Sequence, residues 1–231
     1  MSILQFNVMN QTTKLSDLNM VQHFGHFLLT NLLLPKLRET ALKEQYPSKV
    51  ITLSSSLYTL ARRPRSNQNA TKELELGIDL NDLQCKKKRY TLFEQYAQSK
   101  LANILFAREL GRREKLRAEK LHEQHEQTKD KNSSVFCPIK SYSLHPGLVR
   151  TDVVRDMPWF LYYPNIVFAF FVAVLQKTPR AGAYTSVFCA VSDEDLNEEV
   201  CYYVNSEISK LSEAAKSDEV GEVLLSWLIY C

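Results

Sequence analysis

Short runs of apolar and β-branched residues, without alternating polar positions, mark the strands of this chain. Strands that are covered on both faces of a parallel sheet have this pattern. It predicts buried strands at Ile3–Val8, Val50–Leu53 and, less cleanly, Tyr142–Leu144. A last strand at Val200–Val204 and an amphipathic closing helix at Glu219–Tyr230 complete the predicted order.

Two longer segments repeat their apolar residues at the spacing of an α-helix. The first is Leu18–Tyr46, in which Pro35 should kink the helix by removing one backbone hydrogen bond. The second runs from about Phe93 to Arg113. The repeating apolar positions are Val21, Phe24, Leu28, Leu32 and Leu33 in the first helix and Ala97, Leu101, Ile104 and Leu105 in the second. The alternation of strands and helices predicts an α/β fold with a doubly wound, mostly parallel, Rossmann-like sheet.

A charged stretch at about 112–134 interrupts this pattern, because Lys, Arg, Glu, Gln and His dominate it. We expect Arg112–Ser134 to be a charged insertion outside the core, either a solvated helical extension or a mobile loop. Its deletion would then alter stability little. A second polar stretch, Ala61–Lys72, has the same interpretation.

The apolar region at about 158–175 is the strongest candidate for membrane contact. Pro164 and Asn165 interrupt it, and the continuous run Ile166–Leu175 has ten residues. A helix that spans a bilayer needs about 20. The pattern therefore favours a buried helix or a substrate lid over a membrane-contacting element.

Composition narrows the class of protein further. The 231 residues are 45% hydrophobic, which fits one globular domain covering 1–231. The formal net charge of +3 supplies no large field for binding nucleic acid. Five cysteines without a C-x-x-C pair indicate reduced thiols, and Met1–Asn10 lacks the pattern of a secretory signal. His122 and His125 have no evident third partner nearby, so no metal site is predicted.

Three residues form the strongest candidate for chemistry. Ser55 follows a predicted strand, and Tyr96 and Lys100 lie four residues apart on a predicted helix, hence on one face. A nearby positive charge favours the phenolate form of a tyrosine, which suits it to proton transfer near neutral pH. Each residue taken alone also has a structural interpretation, since Tyr-x-x-x-Lys pairs occur often by chance.

Five ordered segments provide the context that the pair alone lacks. They are Val21–Thr30, Val50–Ser56, Tyr96–Asn103, His145–Thr151, and Lys177-Thr178-Pro179 with Gly182-Ala183 and Thr185-Ser186. In this order they resemble the helix motif, the serine-bearing strand end, the Tyr-x-x-x-Lys helix, the Pro-Gly turn and the following helix start of the short-chain dehydrogenases/reductases. The resemblance is strongest to the retinol-dehydrogenase branch, and it covers nearly the whole chain from about Thr12 onward.

The resemblance implies an NADP- or NAD-dependent oxidoreductase that transfers hydride to or from a lipid-like alcohol or aldehyde, with the region at 158–175 as the substrate lid. Tyr96 would be the general acid/base, Lys100 would hold the ribose hydroxyls and depress the tyrosine pKa, and Ser55 would orient the substrate oxygen. The implied catalytic residues are Ser55, Tyr96, Lys100 and Gln22, and the implied cofactor-binding residues are Tyr96, Lys100, Pro146, Gly147, Val149 and Thr151.

The sequence departs from the family pattern in two places. Gln22 stands where the family usually has an asparagine that supports a proton relay, so the amide is kept but displaced by one methylene. The six glycines are never closer than 34 residues, so the chain contains no G-x-G-x-x-G turn to cradle a pyrophosphate. We therefore expect an N-terminally truncated domain, without the first βαβ elements, that binds the cofactor weakly.

Two classes of function remain open on the sequence. One is the oxidoreductase, acting on a small apolar alcohol or aldehyde, in the cytoplasm or at the cytoplasmic face of the endoplasmic reticulum membrane with peripheral membrane contact. The alternative is a catalytically inactive remnant that binds a partner, such as a paralogue or a second copy, through the sheet edge left by the missing strands. Neither class implies nucleic acid as a partner.

Overall fold

The structure is a computed structural model that describes residues 23–61, 77–78, 92–126, 136–149, 176–192 and 202–230. Its longer helices are α1 (Gly25–Glu44), α2 (Leu92–Glu126), α3 (Pro179–Val191) and α5 (Asp218–Tyr230), with a short α4 at Glu213–Lys216. Its strands are β1 (Ser48–Leu53), β2 (Ile139–His145), β3 (Tyr202–Val204) and β4 (Glu207–Ile208), and a 3₁₀ helix follows β1 at Ser56–Leu60.

The strands form a mostly parallel sheet in the order β1-β2-β3-β4. β1 and β2 pair in parallel from Ser48 opposite Ile139 to Leu53 opposite Leu144. β2 and β3 are also parallel, whereas β4 returns antiparallel to β3. The α/β fold with a mostly parallel sheet is thereby confirmed. The predicted strand Ile3–Val8 lies outside the described residues.

Helices cover both faces of β2. Successive side chains of a strand point to opposite faces, so the residues of β2 alternate between the two layers. On one face Ile139 packs with residues of α1, α2 and α5, among them Phe27 and Phe106. On the other face Tyr142 and Leu144 pack with Cys189 of α3 and Tyr203 of β3. The site described below lies where this three-layered arrangement ends.

The predicted stripe of α2 is confirmed. Ala97, Leu101, Ile104 and Leu105 are all essentially inaccessible to solvent. The helix extends beyond the predicted end at Arg113 and continues to Glu126.

The leucines whose spacing predicts the first helix do not form its buried face. Leu28, Leu32 and Leu33 are exposed, Leu32 to 69%, whereas the buried positions are Phe27, Leu34 and Ala41. The physical reason is that apolar residues nearly surround this helix, so periodicity alone does not select a side. Pro35 lies inside α1, as expected.

The charged segment also differs from expectation over its described part. Residues 112–126 continue α2 as a helix, and Glu114 and Ala118 on it are buried. The Arg38 guanidinium of α1 donates two hydrogen bonds to the Glu114 carboxylate, with Nε 2.9 Å from Oε2. The expectation that this whole segment lies outside the core is therefore wrong for its first turns. The reason is that Glu114 of α2 is buried in an ion pair with Arg38 of α1. None of the helices in the described ranges has the length and apolar content needed to cross a bilayer.

Substitution of Glu114 by Ala should destabilise the protein by about 2 kcal/mol, because it leaves the partly buried Arg38 guanidinium without its charged acceptor. The free energy of unfolding is measured by urea titration. Glu123→Ala is the matched control, since Glu123 is an exposed glutamate on the same helix. Equal stability of the two variants would contradict a packing role for the Arg38–Glu114 pair.

Candidate active site

The carboxyl ends of β1 and β2 meet at one edge of the sheet, since the two strands are parallel and in register. The Ser54 backbone N–H donates to the Leu144 carbonyl at 2.7 Å and continues the ladder past the end of β1. Ser54, Ser55 and Ser56 therefore lie beside the His145-Pro146-Gly147 segment that follows β2. Ligands of open α/β sheets bind outside this edge.

Tyr96 and Lys100 stand one turn apart on α2, both half-buried. The Lys100 ammonium lies over the Tyr96 ring, with Nζ 5.3 Å from the ring centroid. A cation in this position is attracted to the electron-rich face of the ring. Burial lowers the pKa of Lys100 below its usual value. The pair thus places a partly desolvated cation against a phenol.

Ser54 connects the end of β1 to this turn of α2. Its hydroxyl donates a hydrogen bond to the Lys100 backbone carbonyl at 2.8 Å. Ser55 is buried, and its Oγ accepts a hydrogen bond from the Leu57 N–H at 3.3 Å, which caps the 3₁₀ helix. Ser54 and the capping residue Ser55 are adjacent, so hydrogen bonds hold the backbone at both positions.

Two histidines adjoin the same edge. His145 Nε2 lies 3.3 Å from the Ser56 hydroxyl. Burial, and to a lesser extent the positive charge of Lys177, lowers the pKa of His145. Burial, and then the charge of Lys100, likewise lowers the pKa of His26 on α1. Both shifts favour the neutral form of the imidazole.

The Pro146-Gly147 turn is held against the start of α3. Gly147 has φ +91°, a conformation that residues with a side chain rarely adopt. Val149 and Lys177 form a parallel bridge, in which the Lys177 N–H donates to the Leu148 carbonyl at 2.7 Å. A Cβ added to Gly182 would overlap Val149 Cγ2. Only a glycine at 182 allows this close approach.

The described residues thus include Ser55, Tyr96, Lys100, Pro146, Gly147 and Val149 of the predicted site. Ser55 is joined to the Tyr96–Lys100 turn through its neighbour Ser54, and Pro146 and Gly147 follow the adjacent strand. Gln22, Thr151 and the predicted lid Trp159–Leu175 lie outside the described residues. The catalytic and cofactor-binding roles of all these residues stay predictions.

Sequence reasoning overlooked several polar residues that build this edge. Ser54 and His145 could have been singled out, because each directly follows a predicted strand and precedes a candidate residue. Their contacts, with a backbone carbonyl and with another serine, have no sequence signature. The Lys177 ammonium, 2.5 Å from Asn205 Oδ1, depends on the β3–β4 turn, which the sequence pattern did not predict.

A cavity of about 360 Å³ lies at the opposite, amino-terminal end of β2. Its lining includes Arg108, Arg112, Lys115, Cys137, Lys140 and Ser141. Of the candidate catalytic residues that the structure describes, none borders it. The chemistry predicted from Tyr96 and Lys100 therefore does not belong to this cavity.

Comparison with curated proteins shows which proteins the chain is similar to. No protein-family profile matches the chain. The chain is nevertheless a homologue of the retinol dehydrogenases of the short-chain dehydrogenase/reductase family, as its motifs predict.

Particular relatives make the relationship concrete. Human retinol dehydrogenase 11 is 34% identical over 173 residues, covering 75% of this chain and 40% of that protein. Bovine retinol dehydrogenase 12 is 31% identical over 218 residues, covering 91% and 52%. Human retinol dehydrogenase 14 is 33% identical over 207 residues, covering 88% and 48%. The chain thus spans about half the length of the curated relatives it matches.

A solved structure supports the fold independently. An uncharacterized protein from Mycobacterium paratuberculosis matches 92% of this chain and 58% of its own, with a TM-score of 0.53 and 23% sequence identity. At this identity the likeness concerns the fold alone, and it agrees with the Rossmann-like sheet described above.

Gly182→Ala should destabilise the protein by about 1–3 kcal/mol, because the new methyl group overlaps the Val149 side chain. Gly111→Ala on α2 is the matched control, since its added Cβ meets nothing nearer than 3.8 Å and alanine favours a helix. Thermal or urea unfolding measures both.

The double variant Gly182→Ala/Val149→Ala should recover most of the stability lost in Gly182→Ala, because it removes the methyl groups that clash. Additive losses in the double-mutant cycle would show that the two positions do not press on each other.

Proposed function

We propose that this chain provides the catalytic residues of an oxidoreductase that passes hydride between a nicotinamide dinucleotide and a lipid-like alcohol or aldehyde. The observation that carries the proposal is the 2.8 Å hydrogen bond from Ser54 to the Lys100 carbonyl. It ties the serine-bearing strand end to the helical turn of Tyr96 and Lys100. Proton transfer at a substrate oxygen requires the proton donor and the orienting hydroxyl to be held in a fixed relation, and this hydrogen bond supports such a relation.

Each of the three residues has a distinct role in this proposal. The Tyr96 hydroxyl gives a proton to the carbonyl oxygen during reduction and takes one from the alcohol during oxidation. Ser55 donates a hydrogen bond to the same substrate oxygen and fixes its direction. Lys100 holds the ribose hydroxyls of the cofactor, and its ammonium keeps positive charge beside the phenol.

We expect Lys100 and the Pro146-Gly147 turn to hold the nicotinamide half of NADP or NAD. Lys100 supplies a cation, and the left-handed Gly147 turn, against which the Lys177 side chain packs, follows the adjacent strand. When bound, the cofactor donates or accepts the hydride. The protein's own residues orient the ribose and the substrate oxygen and move the proton.

Two observations support the class of substrate. The relatives are named as retinol dehydrogenases, which supports a retinoid-like alcohol or aldehyde. The apolar composition of Pro158–Leu175 supports the same class, because a mostly apolar wall favours a long hydrocarbon over a small polar substrate.

Tyr96→Phe should reduce turnover of all-trans-retinal by about 100- to 10,000-fold, because it removes the general acid and leaves the ring in place. Turnover is measured with NADPH and with NADH at the highest attainable concentrations. Tyr46→Phe is the matched control, since this half-exposed tyrosine follows the far end of α1. Unchanged turnover in Tyr96→Phe would refute the assignment of Tyr96 as the proton donor.

This chain should also bind free cofactor weakly, because its glycine spacing provides no phosphate-binding turn. Losing two charge-assisted hydrogen bonds of about 1.5–3 kcal/mol each weakens binding by roughly 100-fold or more. Cofactor fluorescence is followed during titration, beside a form of the chain extended by any natural upstream segment. Micromolar binding by the 231-residue chain itself would contradict this expectation.

A second candidate function is that of a partner-binding protein without catalytic activity. The supporting observation is the exposed apolar face of α1, which includes Leu29, Leu32 and Leu33. Such a patch on a folded surface is typical of an interaction site. This candidate predicts no turnover in either form of the chain, together with a stable complex whose formation Leu32→Asp disrupts.

A further inference from the structure

A buried pair of side chains joins three elements next to the proposed site. His23, two residues before α1, places Nδ1 2.8 Å from Asn103 Oδ1. Asn103 lies on α2 and is completely inaccessible to solvent. Its Nδ2 donates a hydrogen bond to the Leu53 carbonyl, at the end of β1, at 3.0 Å. One amide group therefore contacts the start of α1, the middle of α2 and the end of β1.

These contacts determine where the imidazole carries its proton. The Leu53 carbonyl only accepts, so the NH₂ group of Asn103 must face it and the amide oxygen must face His23. An amide oxygen also only accepts, so His23 Nδ1 carries the hydrogen. Burial lowers the pKa of His23 to about 4, outweighing the contact with Asn103, which favours the charged form. At pH 7 His23 is therefore the neutral Nδ1–H tautomer.

The contacts lie close in sequence to each proposed catalytic residue. Asn103 follows Lys100 by three positions, so the two side chains share a face of α2. Leu53 precedes Ser55 by two residues. His26 lies three positions after His23. Burial, and then the charge of Lys100, lowers the pKa of His26. Rotation of α2, or a shift of the β1 end, would thus break a buried hydrogen bond.

We propose that His23 and Asn103 are positioning residues, which hold the entry of α1 and the end of β1 against the Tyr96–Lys100 face of α2. This proposal rests on the function proposed above as far as turnover is concerned. The clamp itself, defined as the His23–Asn103–Leu53 hydrogen-bond chain, is a property of the folded protein. Neither residue touches the substrate oxygen in this proposal, and both act through Ser55 and Lys100.

Simple packing of an aromatic ring is the competing explanation. His23 also contacts the rings of Phe24 and Phe106, with centroids 5.7 and 6.3 Å away. A phenylalanine at 23 would preserve those contacts and lose the donor. An asparagine would lose the ring but keep an N–H group near the Nδ1 position. The two variants therefore separate packing from hydrogen bonding.

The first test reads the tautomer directly. Long-range ¹H–¹⁵N NMR spectra of the imidazoles at pH 7 should show His23 protonated at Nδ1 and unprotonated at Nε2, with His23→Asn identifying the signal. Asn103→Leu should abolish this preference. A proton on Nε2 in the native protein would overturn the clamp, whatever the outcome of the turnover assays.

The second test uses acid stability. The pKa of His23 in the folded protein is lower than its usual 6.5. As the pH falls, the unfolded chain therefore binds a proton at this histidine before the folded protein does. The free energy of unfolding should decrease as the pH drops from about 6.5 to about 4. The unfolding equilibrium constant should rise by roughly 300-fold over that window through this histidine alone. His23→Asn should remove that contribution. His122→Asn, the same change at a histidine on α2, should retain it. A loss of this contribution in both variants or in neither would count against the assignment.

The third test concerns positioning. His23→Phe should lower kcat by about 10- to 100-fold with little change in KM, since misplacement of the reacting groups affects the chemical step. His23→Asn should recover most of this loss. The ¹³C signal of Lys100 Cε, assigned with Lys100→Arg, should move in His23→Phe and return in His23→Asn even without measurable turnover. An unmoved Lys100 signal and unchanged kcat in His23→Phe would refute the positioning role, whereas failure of Tyr96→Phe alone would refute only the proposed function.

Discussion

The buried stripe of α2 is the constraint on which the rest of the structure depends. Leu101, Ile104 and Leu105 are withdrawn from water against the sheet and the C-terminal helices, and this burial fixes the rotation of α2 about its axis. Tyr96, Lys100 and Asn103 occupy another face of the same helix. Hydrophobic packing therefore sets the direction of the polar face, and hydrogen bonds to Ser54 and Leu53 adjust it locally.

The features of the fold that could be predicted from the sequence are those whose signal lies within one segment of the chain. The α2 stripe was predictable, since one face is apolar and the other polar. The buried side of α1 was not predictable, because the helix has apolar residues on nearly all sides. Only the position of the neighbouring elements decides which of these residues are covered. From the sequence, Glu114 is expected to be a solvated charge. In the structure, the fold brings Arg38, 76 positions away, beside it.

The candidate site shows the same division. Ser55, Tyr96 and Lys100 were found from spacing and motif order, because those positions lie on elements that the pattern predicts well. The residues that hold them were missed, since Ser54 bonds a main-chain carbonyl and His23 bonds an amide 80 positions away. Every residue has a backbone carbonyl, so the sequence does not show which carbonyl accepts a hydrogen bond. Long-range polar contacts of this kind depend on the parallel register, which sequence alone does not specify.

The close approach of Val149 to Gly182 has a consequence for how the sequence can diverge. The two positions share one small volume, so an increase in side-chain size at 182 requires a decrease at 149. In homologues we expect the sizes of the two residues to be inversely correlated across lineages. Drift at either position is then limited by the other, and the geometry of the strand-end turn is preserved while surrounding residues change.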